Sequence, residues 1–479
     1  MVSTSKQSLK PLILKHYPEA TALIRVEDEL SAKNLFGTNG IRGVVNQELT
    51  PEFVVKVGVA IGTYFGGGRI LIGHDCRTSN ILFLNAITAG LISTGCTVLE
   101  GGCAPTPAIQ YAVNHFKLDG GIIVTASHNP AEYNGIKVTG CDGTEISREE
   151  EEKIEKTFFE GNFTRKAWNQ LGSIQSFPGV IDTYKEAVKT HLDVVAIRRT
   201  PFKVVVDPVN SVGGLVTPSL LKDLGCTVVT INAQLDGDFS RPPEPKPETL
   251  SDLSTAVKAF HADLGVAHDG DADRCMFVDE RGTVVWGDKT SAVLLNYVLK
   301  KIGKSTVVTP ISSSKLLEDI AKRNGSKLVW TRVGSTIVTN TMKDLGAKVG
   351  FEGNGGFFYA PHQPVRDGAL AASMMLEVLA TSGKQLSKLI EELPKYAIVK
   401  ERIECPNDKK PQVVAKMLQQ TEGMNRLTID GVKVFFDDGS VLIRPSGTEA
   451  IYRVTAEAQG EERAREIADW GIALVTEAL

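Results

Sequence analysis

Short β-branched runs that end in a polar turn recur three times along the chain. They are RILIGHD (69–75), FKVVVDPVN (202–210) and STVVTPISS (305–313). Such runs, followed by helical periodicity, predict buried strands of a parallel sheet. A helix closed by a glycine, where a left-handed cap is easy, then leads into a further strand, as in LISTGCTVLE (91–100) and LLKDLGCTVVTI (220–231). Another helix and glycine precede a later strand in FKLDGGIIVTAS (116–127), FHADLGVAHDGD (260–271) and MKDLGAKVGFEG (342–353). The uneven spacing marks a degenerate domain repeat, not a solenoid. On this pattern Gly121, Gly265 and Gly346 hold corresponding places, and each following strand emerges at a polar loop. The first loop carries Ser127, the second a group of aspartates, the third Glu352. Ligands of open α/β sheets bind beyond the carboxyl ends of strands. Three related domains facing one cleft would therefore bring these loops together.

The last part of the chain differs: VKVFF, then DDGSVLIRPSGTEAIYRVTAEA, then an acidic–basic helix. That alternation predicts a small α+β domain. The expected fold is α/β: three related mixed α/β sheet domains and a smaller C-terminal α+β domain around a central cleft. The expected limits are 1–165, 166–284, 285–397 and 398–479. Linkers are expected near 160–175, which holds Gly161 and Gly172, and near 394–410, which holds Pro394 and Pro406. The proline-rich RPPEPKPE (241–248) reads as an extended loop within the second domain. ILFLNAITAGLISTGCTVL (81–99) carries no charge. Its glycines, threonines and serines favour a buried helix followed by a strand over a membrane span.

Composition narrows the class. At roughly 100–200 residues per domain, 479 residues allow three or four domains. Hydrophobic residues make up 42% and charged ones 23%, ordinary for a chain with a large core. A net charge of −4 argues against nucleic-acid binding by bulk charge. The seven cysteines include no Cys-x-x-Cys pair. Neither a disulfide framework nor a zinc site is indicated, and a reducing compartment is the simpler reading. The N-terminus lacks a signal-peptide pattern, so a cytoplasmic protein without a membrane partner is expected. A homo-oligomer is compatible with the sequence.

Four loops carry the candidate chemistry. TASHNP (125–130), followed by Tyr133, Asn134, Gly135 and Lys137, sets Ser127 at a strand end as a potential covalent nucleophile. His128 and Lys137 stand ready to move protons or neutralise phosphate. An ordinary Ser/Asn/Pro turn is the competing reading. In HDGDADR (268–274) three carboxylates alternate, so that Asp269, Asp271 and Asp273 can converge on one hard cation, with Arg274 suited to phosphate. A calcium loop ending at Glu280 and a solvated acidic turn are the alternatives. Arg274 stands where a calcium loop needs glycine, which favours magnesium. FEGNGG (351–356) offers Glu352 and Asn354 to sugar hydroxyls, against the plainer reading of a glycine-rich turn. RPSGTE (444–449) combines Arg444, Ser446, Gly447 and Thr448 into an anion-binding nest, with a polar hairpin turn as the alternative. Near the N-terminus, FGTNGIRG (36–43) places Arg42 in a glycine-rich loop. HDCRTS (74–79) adds Asp75, Arg77 and Ser79 as another polar strand end, with mere capping as the alternative because Thr78 and Ser79 are good helix starters.

Taken in order, FGTNGIRG, TASHNP with YNGIK, DGDADR, the Glu352 loop and RPSGTE resemble the α-D-phosphohexomutase family, phosphoglucomutase/phosphomannomutase type. The resemblance implies a phosphohexomutase that interconverts hexose 1-phosphate and hexose 6-phosphate, glucose or mannose. It would act through a phosphoserine enzyme and a hexose 1,6-bisphosphate intermediate, with Mg2+ as cofactor. It further implies Ser127 as the phosphoserine and Asp269, Asp271 and Asp273 as magnesium ligands completed by the Ser127 phosphate. Arg42, His128 and Lys137 match positions that assist transfer. Arg274, Glu352, Asn354, Arg444, Ser446, Gly447 and Thr448 match positions that bind the sugar phosphate. One departure matters. The family's sugar loop reads Gly-Glu-x-Ser-Gly-His, whereas Asn354 and Gly356 stand here for the serine and histidine. That keeps phosphoglucosamine or phospho-N-acetylglucosamine mutase open as the alternative. A metal-dependent sugar phosphatase and a non-catalytic sugar-phosphate-binding protein are the remaining rivals.

Overall fold

The computed structural model describes residues 34–37, 39–446 and 449–479. The first sheet contains β1 (Ile41–Val44), β2 (Arg69–His74), β3 (Thr97–Cys103), β4 (Gly120–Val124), β5 (Tyr133–Gly140) and β6 (Ile174–Ser176), in the order β1-β5-β4-β2-β3-β6. The second contains β7 (Lys203–Asp207), β8 (Thr227–Thr230), β9 (Leu264–His268), β10 (Cys275–Val278) and β11 (Val284–Val285), in the order β11-β10-β9-β7-β8. The third contains β12 (Thr306–Pro310), β13 (Lys327–Thr331), β14 (Val349–Glu352), β15 (Gly356–Tyr359) and β16 (Gln363–Arg366), in the order β13-β12-β14-β15-β16. The three share one plan. A central strand (β2, β7, β12) runs parallel to a neighbour on each side, and the last parallel strand turns back as an antiparallel hairpin. The hairpin turns β4–β5, β9–β10 and β14–β15 are the Ser127, aspartate and Glu352 loops, so the repeat delivers all three from equivalent positions.

One correspondence needs correcting. Gly121 and Gly265 are the second residues of β4 and β9, opposite Leu71 and Val205 of the central strands. The equivalent in the third domain is Gly350, opposite Val308. Gly346 instead caps the helix Ser335–Leu345 at φ 60. The shared cause is close helix packing: a Cβ would lie 2.7 Å from Val113 at Gly121, from Val257 at Gly265 and from the Met342 sulfur at Gly350. Each contact comes from the helix before the strand.

Strand alternation feeds two cores in the first domain. Ile70, Ile72, Ile122 and Val124 face the helices Pro51–Phe65 and Asn80–Ser93. Leu71, Leu99 and Ile123 face Thr106–His115 and join a core that continues through Val206 and Phe277 to Phe351 and Leu370. The first three domains are thus welded by one apolar interior. The uncharged stretch 81–99 is the expected helix and strand, with Ile81 and Leu82 exposed at its first turn. Among the described residues, no helix is long and apolar enough to cross a membrane.

The fourth sheet is wholly antiparallel: β17 (Ala397–Glu404), β21 (Ile451–Ala458), β20 (Gly439–Pro445), β19 (Val432–Phe435) and β18 (Arg426–Leu427), in that spatial order. It has its own core with the helices Lys410–Gln420 and Glu461–Ala478. Two expected linkers are partly strand. β6 pairs with β3, so the first sheet reaches past residue 165, and β17 pairs along its length with β21 inside the stretch 394–410. The fourth domain docks on the third through polar contacts. Lys433 donates to the carbonyls of Ile311 (3.0 Å) and Ser313 (2.9 Å), and Glu457 accepts from the Ser314 hydroxyl and the Lys315 amide, both at 2.6 Å.

Candidate active site

The β4–β5 turn holds Ser127 fully buried and at φ 50, a backbone region that costs a non-glycine residue about 1–3 kcal/mol. Arg77 pins it. Its guanidinium donates to the carbonyls of Ser127 (2.9 Å), Asn129 (2.7 Å), Pro130 (2.6 Å) and Tyr133 (2.8 Å), and its Nε to Asp75 at 3.1 Å. Asp75 also accepts from the Thr125 hydroxyl at 2.6 Å and from Asn80 at 2.9 Å. The HDCRTS segment is therefore a brace for the serine turn. Ser79, at the helix start, makes no side-chain cap and accepts from Asn134 instead.

The β9–β10 turn brings three carboxylates under the serine. Ser127 Oγ donates to Asp269 Oδ2 at 3.0 Å, and one ligand oxygen from each of Asp269, Asp271 and Asp273 falls within 4.8 Å of the others. Asp269 Oδ1 accepts from the Arg274 amide at 3.2 Å. Asp271 Oδ2 accepts from Thr106 and Lys137, both at 2.8 Å. Asp273 Oδ2 accepts from Arg366 at 2.6 Å and from Lys137 at 3.3 Å. The second oxygens of Asp271 and Asp273 are buried without a hydrogen-bond partner among the described residues. Two orphaned carboxylate oxygens beside Asp269 and the serine hydroxyl form an all-oxygen set suited to a hard divalent cation. The calcium-loop alternative fails, because Glu280 is committed to Ser387.

Burial and the repulsion of Asp273 and Asp271 push the Asp269 carboxyl well above the usual range. Burial would raise Asp271 too, but Lys137, assisted by Arg366 and Thr106, holds it below. Lys137 is kept charged against its own burial by Asp271, Asp273 and Glu145. His128 goes the other way: burial, then Arg274, Arg42 and Arg366, hold it down to about 2, so the ring is neutral. Arg274 Nη2 donates to His128 Nδ1 at 3.0 Å, and Ser127 Oγ lies 3.4 Å from the same nitrogen. In this state His128 does not neutralise phosphate, and its Nδ1 lone pair is taken by Arg274.

Arg42 lies not in a glycine-rich loop but on the edge strand β1, opposite Gly135. It donates to Asn129 Oδ1 at 2.6 Å and to the Asn39 carbonyl at 3.2 Å, and among the described residues its remaining Nη2 has no hydrogen-bond partner. In the third domain Glu352 is buried against Arg366 at 3.3 Å, and Asn354 Oδ1 accepts from the Gly356 amide at 3.3 Å. This loop is laced to the metal loop: the Cys275 amide donates to the Gly355 carbonyl at 3.0 Å, beside an Arg274–Gly356 bridge. The proline-rich segment adds Arg241, paired with Asp207 at 2.9 Å, and Glu244, 3.3 Å from Arg274.

From the fourth domain, Arg444 Nε donates to Asp430 at 2.7 Å, and Asp430 accepts from the Val333 amide at 3.1 Å. Two residues on, Ser335 donates to Asn39 at 3.2 Å, whose carbonyl holds Arg42. Arg444 is thereby linked stepwise to the serine turn. Ser446 is buried, with its carbonyl on Lys410 at 2.6 Å and its hydroxyl accepting from the Glu449 amide at 3.2 Å. Gly447 and Thr448 lie outside the described residues. Sequence reasoning missed Arg366, Thr106 and Glu145, and placed Arg77 at a polar strand end without giving it a role. Arg366 precedes the Asp-Gly start of a helix, which hints at a fixed backbone. Thr106 and Glu145 carry no sequence signal.

A hydroxyl, a cation pocket and a shell of arginines meeting at three equivalent strand ends are the apparatus of phosphoryl transfer. Residues 33–165, 182–282 and 286–396 match alpha/beta/alpha domains I, II and III of phosphoglucomutase/phosphomannomutase, and 401–470 match its C-terminal domain. The chain belongs to this family and is a phosphohexomutase, an isomerase. It is 47% identical to a phosphoglucomutase/phosphomannomutase of Thermococcus kodakarensis over 93% of this chain and 99% of that protein. It is 44% identical to a phosphoglucosamine/phosphogalactosamine mutase of Sulfurisphaera tokodaii, over 90% and 97% respectively. A crystal structure of a phosphoglucomutase/phosphomannomutase family protein from Burkholderia thailandensis superposes with a TM-score of 0.84 at 26% identity, covering 93% of this chain and 98% of that one.

Proposed function

We propose that this enzyme interconverts the 1- and 6-phosphates of a hexose through phosphorylated Ser127, with an amino-sugar phosphate as its principal substrate. The observation that carries the reading is the 3.0 Å contact between Ser127 Oγ and Asp269 inside a buried carboxylate trio, formed by residues 142 positions apart. The amino-sugar preference draws support from the Sulfurisphaera tokodaii relative and from Asn354 and Gly356 in the sugar loop. Glucose and mannose phosphates are the second reading, favoured by the Thermococcus kodakarensis relative.

Each half-reaction breaks one phosphorus–oxygen bond and makes another. A free sugar hydroxyl attacks the phosphorus on Ser127, the bond to Ser127 Oγ breaks, and a hexose 1,6-bisphosphate results. The hydroxyl proton passes to His128 Nδ1 as Arg274, which donates to that nitrogen in the resting site, turns to the transferring phosphoryl oxygens. Lys137, held charged, offsets the negative charge gathered at Asp271 and Asp273. Mg2+, held by Asp269, Asp271, Asp273 and the Ser127 oxygen, would draw charge from the transferring oxygens. Arg42, through its open Nη2, and Arg274 would neutralise the same oxygens. The bisphosphate then turns end for end, and its other phosphate returns to Ser127. Throughout, Glu352 and Asn354 hold sugar hydroxyls, while Arg444, Ser446, Gly447 and Thr448 hold the phosphate that is not reacting.

The test is a panel of glucose, mannose and glucosamine 1-phosphates with Mg2+ and the matching 1,6-bisphosphate. The highest kcat/KM is expected on glucosamine phosphate. A higher value on glucose or mannose phosphate would overturn the amino-sugar preference. Steady release of inorganic phosphate without any need for bisphosphate would replace the mutase by a phosphatase.

A further inference from the structure

The segment Arg366–Gly368 is built more rigidly than a strand-to-helix turn requires. The Asp367 amide donates to the Phe357 carbonyl at 2.9 Å, and its carboxylate caps the following helix at Leu370 (2.9 Å) while accepting from the Tyr184 hydroxyl. Gly368 lies flat on the metal loop, where a Cβ would stand 2.7 Å from the Ala272 carbonyl oxygen and 2.6 Å from that of Arg274. The backbone of Arg366 is therefore fixed relative to the aspartates of another domain. Its side chain, 3% exposed, spans two carboxylates: Nη2 reaches Asp273 Oδ2 at 2.6 Å and Nη1 reaches Glu352 Oε2 at 3.3 Å. No other arginine or lysine among the described residues forms an ion pair with Glu352. Room for the arginine comes from Gly356, where a Cβ would stand 3.0 Å from Arg366 Cδ and 3.1 Å from Glu352 Oε2. The histidine-to-glycine departure in the sugar loop and the arginine on the neighbouring strand thus occupy one volume.

We infer that Arg366 is a positioning residue that couples the cation site to the sugar site. By holding Asp273 through Oδ2, it leaves Oδ1, which makes no hydrogen bond among the described residues and lies 3.9 Å from Arg274 Nε, for the cation. By holding Glu352, it fixes the carboxylate offered to the sugar. Partners that orient a metal ligand typically contribute tenfold to a hundredfold in affinity. The sugar half of this inference rests on the phosphohexomutase reading; the cation half does not.

The experiment is Mn2+ titration of the full chain without sugar phosphate, followed by electron paramagnetic resonance, alongside steady-state kinetics. Arg366→Met should fold, bind Mn2+ about tenfold or more weakly, and show a raised KM for sugar phosphate. Arg366→Lys, whose single ammonium reaches only one carboxylate at a time, should recover part of either loss. Gly356→Ala should weaken Mn2+ binding alone and add little on top of Arg366→Met, the non-additivity expected of one coupled unit. Wild-type Mn2+ affinity and KM in folded Arg366→Met would overturn the inference. If that variant does not fold, wild-type affinity and KM in Arg366→Lys would overturn it equally. A chain that turns over no hexose phosphate but loses Mn2+ affinity on Arg366→Met keeps the cation half of this inference and overturns both its sugar half and the mutase reading; full mutase turnover with unchanged Mn2+ binding and KM in that variant overturns the inference and keeps the mutase reading.

Discussion

Replacing Arg77 by methionine tests whether the serine turn is held in place or holds itself. The side chain is fully buried and makes five charge-assisted contacts, one to Asp75 and four to carbonyls of residues 127–133. Methionine fills similar volume and removes them all. Asp75 keeps the Thr125 hydroxyl, the Asn80 amide and the residue-77 amide, so its carboxylate is not stranded. The loss is thus placed near the lower end of the ~3–5 kcal/mol typical for breaking a buried ion pair. The positive φ of Ser127 adds a bias of about 1–3 kcal/mol toward relaxation of the turn. A ~3 kcal/mol loss lowers the melting temperature of a domain this size by roughly 6–12 °C. Differential scanning calorimetry of the full chain should show that shift in the transition containing the first domain. Phosphorylation of Ser127 by a labelled hexose bisphosphate should slow at least a hundredfold, because a misplacement near 1 Å costs about that much. A normal melting temperature together with normal phosphorylation would show that the turn needs no brace.

Further outcomes follow from the same geometry. Ser127→Ala and Ser127→Gly should both abolish turnover, and the glycine variant should be the more stable by roughly 1 kcal/mol because it relieves the positive φ; equal melting curves would remove the strain argument. Arg444→Ala should raise KM by roughly 10- to 150-fold, the equivalent of ~1.5–3 kcal/mol for a charge-assisted contact, and unchanged affinity would take this loop out of the site. His268 is fully buried between Thr217 and the Arg274 carbonyl, and burial holds it down to about 4. Between its unfolded value near 6.5 and that figure the unfolded chain binds a proton that the folded chain refuses, so stability rises with pH and is lost on acidification, by about 1.4 kcal/mol per unit. Chemical denaturation from pH 7 to pH 4.5 should show that slope reduced in His268→Gln, and an undiminished slope would exclude this histidine as its source.

How much of this was legible in the sequence is best seen at particular residues. The three sheets were readable because β-branched runs at 69, 202 and 305 bury both faces, a composition that little else requires. The placement of Ser127, Asp269 and Glu352 followed from one repeat applied three times. It was local errors of register, not of plan, that misplaced Gly346 for Gly350 and took β17 for a linker. Both arise because a glycine, or a half-exposed strand with charged residues such as Lys400, Glu401 and Arg402, looks alike inside and outside an element.

What the chain determined alone was therefore the chemistry available at each strand end: a hydroxyl, three alternating carboxylates, a glycine-rich acidic loop and an arginine-led turn. Which oxygen of each carboxylate is committed and which is left for a cation was decided only by tertiary structure, since Thr106, Lys137 and Arg366 come from three separate segments. The physical reason is that a side chain's own sequence fixes its reach and charge. Its partners, and hence its ionisation and direction, are fixed by whatever distant segments are packed around it once water has been excluded.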